Sequence, residues 1–298
     1  MIKTMEEMME YAKGSKKKRL AVAVAQDEDV LHSVHEAHSL GLINVSLVGD
    51  KKKIYDIADS LKIDVSGYEI IKEVDDAKAV RIAVDMAGNG SADIVMKGMI
   101  PTADLFRVVL DKDLGLRTNR LLSHVGVYEL STYHKLLFVT DAGINISPDL
   151  KQKADIIQNA VNVAVSLGIT KPKVAVLAAI EVVNPSMQAT IEAAALSKMA
   201  DRGQIKSCII DGPLAMDNAI NLDAAKQKGI VSEVAGDADI LLTPDIEAGN
   251  ILVKALTFLN KSKSCGVVAG AKVPLVVTSR ADNHMAKLYS IALAAMMQ

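Results

Sequence analysis

The sequence predicts an α/β fold of two domains, each built on a mostly parallel sheet flanked by helices. Three observations predict it. The chain has 298 residues, about two domains at roughly 150 residues each. Short apolar, β-branched runs alternate with longer stretches whose apolar residues recur three and four apart, the rhythm of βαβ units. Half of the residues are hydrophobic and 23% are charged, which supplies a large core and excludes disordered and fibrous classes.

Taken in order, the first strand is Leu20–Ala25, followed by a helix through Val30, Leu31, Val34, Ala37 and Leu40. Val45–Val48 is the next strand, ending at Gly49-Asp50, and a Lys-rich helix runs through Ile54, Ile57, Ala58 and Leu61. A weaker strand at Tyr68–Ile71 leads into a helix at Asp75–Met86. Asp93–Met96 then meets Lys97-Gly98, and Pro101 stands where the first helical turn tolerates proline. Two strand-like runs, Val125–Glu129 and Lys135–Val139, lie one turn apart and suit a hairpin or an antiparallel member of the sheet. Pro148 opens a long helix ending near Gly168.

The second half repeats the rhythm. Lys173–Ala178, Cys208–Asp211, Ile240–Leu242, Gly266–Ala269 and Leu275–Thr278 are strands; Pro185–Met199, the stretch from Asp245, and Asp282–Met297 are helices. The domain boundary is expected just after the hairpin. That gives one domain of residues 1–143 joined by a C-terminal helix at 280–298, and a second of residues 144–279.

Composition excludes several functions. Thirty-four Lys and Arg against 36 Asp and Glu leave a formal charge of −2, where a nucleic-acid binder would carry a basic excess. Aromatic residues are 3% of the chain, too few for base-stacking platforms. No apolar run approaches the roughly 18 residues of a membrane span, and the run at Leu20–Ala25 is cut short by acidic residues before it could serve as a signal peptide. Two cysteines, Cys208 and Cys265, make no disulfide framework and fit a reducing cytoplasm; each starts an apolar strand and reads as a small buried hydrophobe. His32, His35 and His38 invite a metal, but steps of three carry the outer pair about 120° apart on a helix, so they read as a solvated flank and no metal is expected. Gly88-Asn89-Gly90 lies between a helix and a strand, the wrong order for a dinucleotide loop.

In parallel sheets ligands sit beyond the carboxyl ends of strands, and four places there carry suitable residues. Lys97 and Gly98, with Thr102 opening the next helix, read either as an anion site or as a surface lysine on a tight turn. Asp211, in Asp-Gly-Pro after its strand, reads as a turn or a ligand contact. Asp245 reads as a helix cap, whereas Gly249-Asn250 inside that helix suits close approach of a ligand. Thr278, Ser279, Arg280 and Asp282 place two hydroxyls, a guanidinium fork and helix N–H donors together, an oxyanion or phosphate site on chemistry alone.

Together these residues resemble the phosphate acetyl/butyryltransferase family. The resemblance runs through Val-Ala-Val-Ala-Gln-Asp (22–27), Leu-Val-Gly-Asp (47–50), Met-Lys-Gly (96–98), Leu-Arg-Thr (116–118), Ser-His-Val (123–125), Ser-Lys-Met-Ala-Asp-Arg-Gly-Gln-Ile-Lys (197–206), Asp-Gly-Pro-Leu-Ala (211–215), Pro-Asp-Ile-Glu-Ala-Gly-Asn (244–250) and Thr-Ser-Arg-Ala-Asp (278–282). Its length and Thr-Ser-Arg-Ala-Asp ending are most similar to the butyryl-type members. The resemblance implies a two-domain fold of the isocitrate dehydrogenase type, a cytoplasmic homo-oligomer, and an active site in the interdomain cleft. It implies reversible transfer of butyryl from butyryl-CoA to orthophosphate by direct attack in a ternary complex, without a covalent acyl-enzyme or cofactor; the coenzyme A thioester and phosphate are substrates. Ser279 and Arg280 would then hold the phosphate, with Lys97 and Gly98 helping from the other domain, and Asp245, Gly249 and Asn250 near the acyl or CoA end. The family's acetyl-specific members carry a presumed basic Asp seven residues beyond the Ser; Ala286 stands there in this chain, and Asp282 is the nominated replacement. Acetyl or broad short-chain specificity is the alternative within the class. Outside it stand a non-catalytic acyl-CoA binder and an NAD-dependent decarboxylating dehydrogenase, whose metal carboxylates and nucleotide loop are missing from the sequence.

Overall fold

The computed structural model describes residues 2–279 and 282–297; Arg280, an expected site residue, lies outside them. The chain divides into two compact units. One, here the terminal unit, comprises Glu6–Arg120 and Cys265–Gln298; the middle unit comprises Leu121–Ser264 and the residues through Met5. The divisions at 120/121 and 264/265 fall before the expected ones at 143 and 279. The physical reason is that the hairpin and its neighbouring strands pair with one another, while the last strand returns to the first strands of the chain.

The chain opens with α1 (Met5–Lys13), an element the sequence expectations omit. Met5, Met8, Met9 and Ala12 are buried at the spacing of one helical face. Then come β1 (Lys18–Ala23), α2 (Glu28–Ser39), β2 (Ile43–Gly49), α3 (Lys51–Leu61), β3 (Glu69–Lys72), α4 (Asp76–Gly88), β4 (Ile94–Lys97) and α5 (Thr102–Val109). The middle unit holds β5 (Ser123–Glu129), β6 (Leu137–Thr140), α6 (Leu150–Ser166), β7 (Lys173–Leu177), α7 (Gln188–Asp201), β8 (Ile209–Leu214), α8 (Met216–Ile220), α9 (Leu222–Gln227), β9 (Ile240–Leu242) and α10 (Ile246–Lys254), which continues as a π-helical turn at Ala255–Leu259. β10 (Lys263–Ala269) leads back to the terminal unit, followed by β11 (Leu275–Val276) and α11 (His284–Met296).

In the terminal unit the strand order is β3-β2-β1-β4-β11-β10. All neighbours are parallel except β10 with β11. The strands read as continuous apolar runs because both faces are covered: Leu20–Ala23 and Ile94–Met96 are fully buried. α11 is apolar nearly all round, with Lys287–Met296 buried, as a helix packed inside a unit must be. In the middle unit the order is β5-β6-β9-β7-β8. The expected hairpin is present: β5 and β6 are antiparallel with Val127 opposite Phe138, and β6, β9, β7 and β8 are parallel. Its core includes Leu137, Val139, Ala175, Leu214 and Leu241.

Polar residues fasten the strand ends. Asp93 precedes β4 and grips Arg19 of β1 with both oxygens, at 3.0 Å to Nε and 2.7 Å to Nη2, and accepts the Arg19 amide at 2.8 Å. The Arg19 hydrogen bonds hold the Asp93 carboxyl down to about 2. A carboxylate held below its unfolded value of about 3.9 stabilises the fold above that pH and stops doing so as pH falls through its folded value. Stability should therefore fall between pH 4 and 2 partly through this pair. Urea melts across that range should show a shallower fall for Asp93→Asn than for the wild type; parallel curves would assign the acid sensitivity elsewhere.

Candidate functional site

β4 and β11 are parallel neighbours, with Val95 opposite Leu275 and Met96 opposite Val276. Continuing that register two residues brings Lys97-Gly98 abreast of Val277-Thr278. Ser279 follows directly, so the expected lysine and the hydroxyl pair lie at the same ends of neighbouring strands, inside the terminal unit. This corrects the expectation that Lys97 acts from the other domain: the early boundary puts Lys97, Thr278 and Ser279 in one unit.

Lys97 is only 9% exposed, and its ammonium donates to the carbonyls of Gly98 at 3.2 Å and Ile100 at 3.1 Å. A charged group held by backbone oxygens at a strand's carboxyl end is not the surface lysine of the alternative reading. Gly98 has a structural reason to be glycine: a Cβ there would lie 2.1 Å from the Val24 carbonyl oxygen. The missing side chain lets the Gly98 and Met99 amides bond to the Ala23 and Val24 carbonyls at 2.9 Å.

Four helices of this unit begin on a side-chain cap: Asp27 for α2, Asp50 for α3, Asp75 for α4 and Asn283 for α11. α5 begins on Pro101 and receives no side-chain cap. Thr102 is its first residue, so its opening turn presents N–H donors and the positive end of the helix dipole beside Lys97. Just beyond β11, Thr278 is buried and Ser279 exposed. Asp282 accepts the Ser279 amide at 2.7 Å, and its own amide donates back to the Ser279 carbonyl at 3.1 Å. These two bonds tie Ser279 to Asp282 and commit one oxygen of the nominated base to that contact. Lys287 donates to the Asp282 carbonyl at 2.5 Å.

The remaining expected residues belong to the middle unit. Asp211 lies inside β8, opposite Ala175, and not beyond a strand end; its carboxylate accepts the Gly212 amide at 2.8 Å. Asp245 caps α10 by accepting the Ala248 amide at 2.8 Å. Gly249 was expected to admit a ligand, but the close approach is made by protein. A Cβ there would lie 2.7 Å from both the Asp141 carbonyl oxygen and Thr243 Oγ1. Asn250 completes the contact, donating to the Ala142 carbonyl at 3.3 Å.

These contacts reveal an anchor that the sequence reading missed. Asp141, 3% exposed, follows β6. Its Oδ1 accepts the amides of Gly143 and Ile144 at 2.9 and 3.1 Å; its Oδ2 accepts the amide and the side-chain Nδ2 of Asn145 at 3.2 and 2.6 Å. Asn145 also donates to the Leu122 carbonyl at 2.9 Å. Thr140-Asp141-Ala142-Gly143-Ile144-Asn145 is polar, Gly-containing sequence at a strand's carboxyl end, the same signal that singled out the other four places.

Neither cysteine is built as a nucleophile. Burial pushes the Cys208 thiol up to about 11 and raises Cys265, which is fully enclosed, further still. Thiolate is therefore scarce at neutral pH. Among the described residues no helix is long and apolar enough to cross a membrane.

A model of the family described as "Phosphate acetyl/butaryl transferase" matches residues 3–79 and 69–295. The chain is 49% identical over 296 residues to a phosphate butyryltransferase of Clostridium acetobutylicum, covering 99% of this chain and 98% of that one. It is 48% identical over 291 residues to a phosphate acetyltransferase of Thermotoga maritima, covering 98% of each. Among solved structures, a branched-chain phosphotransacylase from Enterococcus faecalis V583 superposes with a TM-score of 0.83 at 30% identity, covering 94% of this chain and 98% of that one.

The two acidic anchors of the middle unit should differ in cost. Asp141→Ala removes a buried acceptor of four hydrogen bonds and should lose about 3 kcal/mol, while Asp245→Ala removes one cap, worth about 1 kcal/mol. Chemical denaturation of both variants measures the gap; equal losses would mean that the Asp141 loop is not the anchor described.

Proposed function

Because this chain belongs to the phosphate acetyl/butaryl transferase family, we propose that it transfers a butyryl group reversibly between coenzyme A and orthophosphate, and that phosphate sits at the carboxyl ends of β4 and β11. The observation that carries the placement is the juxtaposition of buried Lys97 and the uncapped start of α5 with the Thr278-Ser279 strand end. A cation, helix N–H groups and hydroxyls suit a phosphate dianion. Arg280, one residue beyond Ser279, is the proposed fork for its oxygens.

In the forward direction a phosphate oxygen attacks the thioester carbonyl. The C–S bond breaks, and the proton that leaves the phosphate hydroxyl ends on the coenzyme A sulfur. The products are butyryl phosphate and the free thiol. Holding phosphate against the carbonyl supplies proximity and orientation. Ser279 and the α5 N–H groups are proposed to keep the nucleophile in place. Asp282 is proposed to handle the thiol proton with the oxygen not bound to Ser279. Asp211, Asp245, Gly249 and Asn250 are proposed to serve the acyl-CoA side through the middle unit, the last three by fixing the loop at Asp141. No organic cofactor or metal enters the reaction, so activity should survive EDTA.

The identities to butyryl- and acetyl-transferring relatives are nearly equal, so broad short-chain specificity is the second reading. The Thr-Ser-Arg-Ala-Asp ending favours the four-carbon acyl group. The chain is further proposed to act in the cytoplasm as a homo-oligomer. Exposed Ile251, Phe258 and Leu259 on α10 and its π-helical extension support self-association.

The test is release of coenzyme A thiol from acetyl-, butyryl- and valeryl-CoA with and without phosphate. Release should depend on phosphate and be fastest with butyryl-CoA. Equal rates for acetyl and butyryl would give the second reading, and binding without release would give a non-catalytic acyl-CoA binder. Arg280→Ala should raise the phosphate KM and lower kcat together, because its contact both binds phosphate and strengthens toward the transition state; Arg280→Lys should recover only part. Asp282→Asn keeps an oxygen for the Ser279 amide but takes no proton, so it should lower kcat at near-normal phosphate KM. A folded Arg280→Ala protein with wild-type constants would move the phosphate elsewhere.

A further inference from the structure

Helix α2 carries three histidines at intervals of three, and the structure sends them to different places. His35 Nδ1 lies 2.8 Å from the Tyr68 hydroxyl, and His38 Nδ1 lies 3.0 Å from the Ile43 carbonyl oxygen. Both are half-buried in structural contacts, which corrects their reading as a solvated flank. His32 turns elsewhere: its ring stands edge-on to that of His284, the first residue of α11, with centroids 4.9 Å apart. Glu36 lies one helical turn beyond His32 and shares its face. The donor atoms of His32, Glu36 and His284 all lie within 4.8 Å of one another.

We propose that His32, Glu36 and His284 form a binding site for a divalent transition-metal ion of the zinc type, joining α2 to the start of α11. Two imidazoles and one carboxylate are a borderline donor set suited to such an ion, and a water can fill the fourth position. Tetrahedral ligands at about 2.0–2.2 Å from zinc lie about 3.4 Å apart, so the three side chains close on the ion by rotations that move their donors about 1 Å. His32 is exposed and the other two are half-buried, which gives the ion a route from solvent. An aromatic pair alone would account for His32 and His284 but not for the carboxylate within 4.8 Å of both. Lys287, a cation one turn along α11, faces α2 with its charge paired to Asp29 at 3.5 Å and its ammonium on the Asp282 carbonyl. His284 lies two residues beyond Asp282, and the role of the ion is to brace the helix that begins there, not to take part in acyl transfer.

The experiment is equilibrium binding to the full chain after chelator treatment and dialysis. Zinc is titrated against a chromophoric chelator, cobalt(II) is followed by its visible absorption, and thermal melting is run in parallel. One equivalent per chain should bind, give cobalt an absorption band and raise the melting temperature, since an ion that binds only the folded state stabilises it. His32→Ala and His284→Ala should each weaken binding by at least about 10–100-fold, the loss caused even by an outer partner of a metal ligand. Glu36→Gln should weaken it as well. His134→Ala, whose ring contacts Asp237 in the middle unit, should bind as the wild type does. Absence of saturable binding by the wild type, or binding unchanged in folded His32→Ala and His284→Ala proteins, would overturn the proposal. Neither result depends on the acyl-transfer reading.

Discussion

The terminal unit depends on the parallel pairing of β4 with β11. Residues 98–274, 177 of them, lie between these strands and include the Leu121–Ser264 stretch of the middle unit. Backbone hydrogen bonding in a single register, Val95 to Leu275 and Met96 to Val276, decides which loops share a sheet end. A slip of one residue would turn every side chain of β11 to the opposite face and change which residue after Val276 stands abreast of Lys97. The buried apolar faces on both sides make that slip costly.

Two glycines show how close packing of backbone, more than ligand approach, shapes these sheet ends. Gly98 lets β4 touch the end of β1, and Gly249 lets α10 rest on the loop after β6. In both places a strand end is fixed by amide-to-carbonyl or hydroxyl contacts that a Cβ would obstruct. The proposed phosphate site is therefore preorganised by the fold. Its cation is held by carbonyls, its helix start is left without a side-chain cap, and its Ser279 amide is held by Asp282. Donors fixed before substrate arrives need little reorganisation when it does.

Much of this was legible in the sequence. Every strand of the structure overlaps an apolar run identified from the residues alone, and the antiparallel hairpin follows from two such runs one turn apart. The cap at Asp245 was legible because it is short-range chemistry; Asp50 and Asp75 cap their helices in the same way. α1 was missed although Met5, Met8, Met9 and Ala12 carry its periodicity. The unit boundary was misplaced because it depends on which distant strands pair. Lys97 and Ser279 were both picked out, but their meeting is a tertiary fact that local pattern does not contain. The roles of Asp141 and Gly249 were hidden for the same reason: each is defined by a partner on another element.

The central claim is that phosphate binds beside Lys97 in the terminal unit. Calorimetric titration of inorganic phosphate into the wild type, Lys97→Met and Asp245→Asn, each checked for folding by thermal melting, tests it most directly. The account predicts that Lys97→Met weakens phosphate binding by about tenfold or more, equivalent to at least 1.4 kcal/mol, while Asp245→Asn binds as the wild type does. Unchanged phosphate affinity in a folded Lys97→Met protein would contradict it.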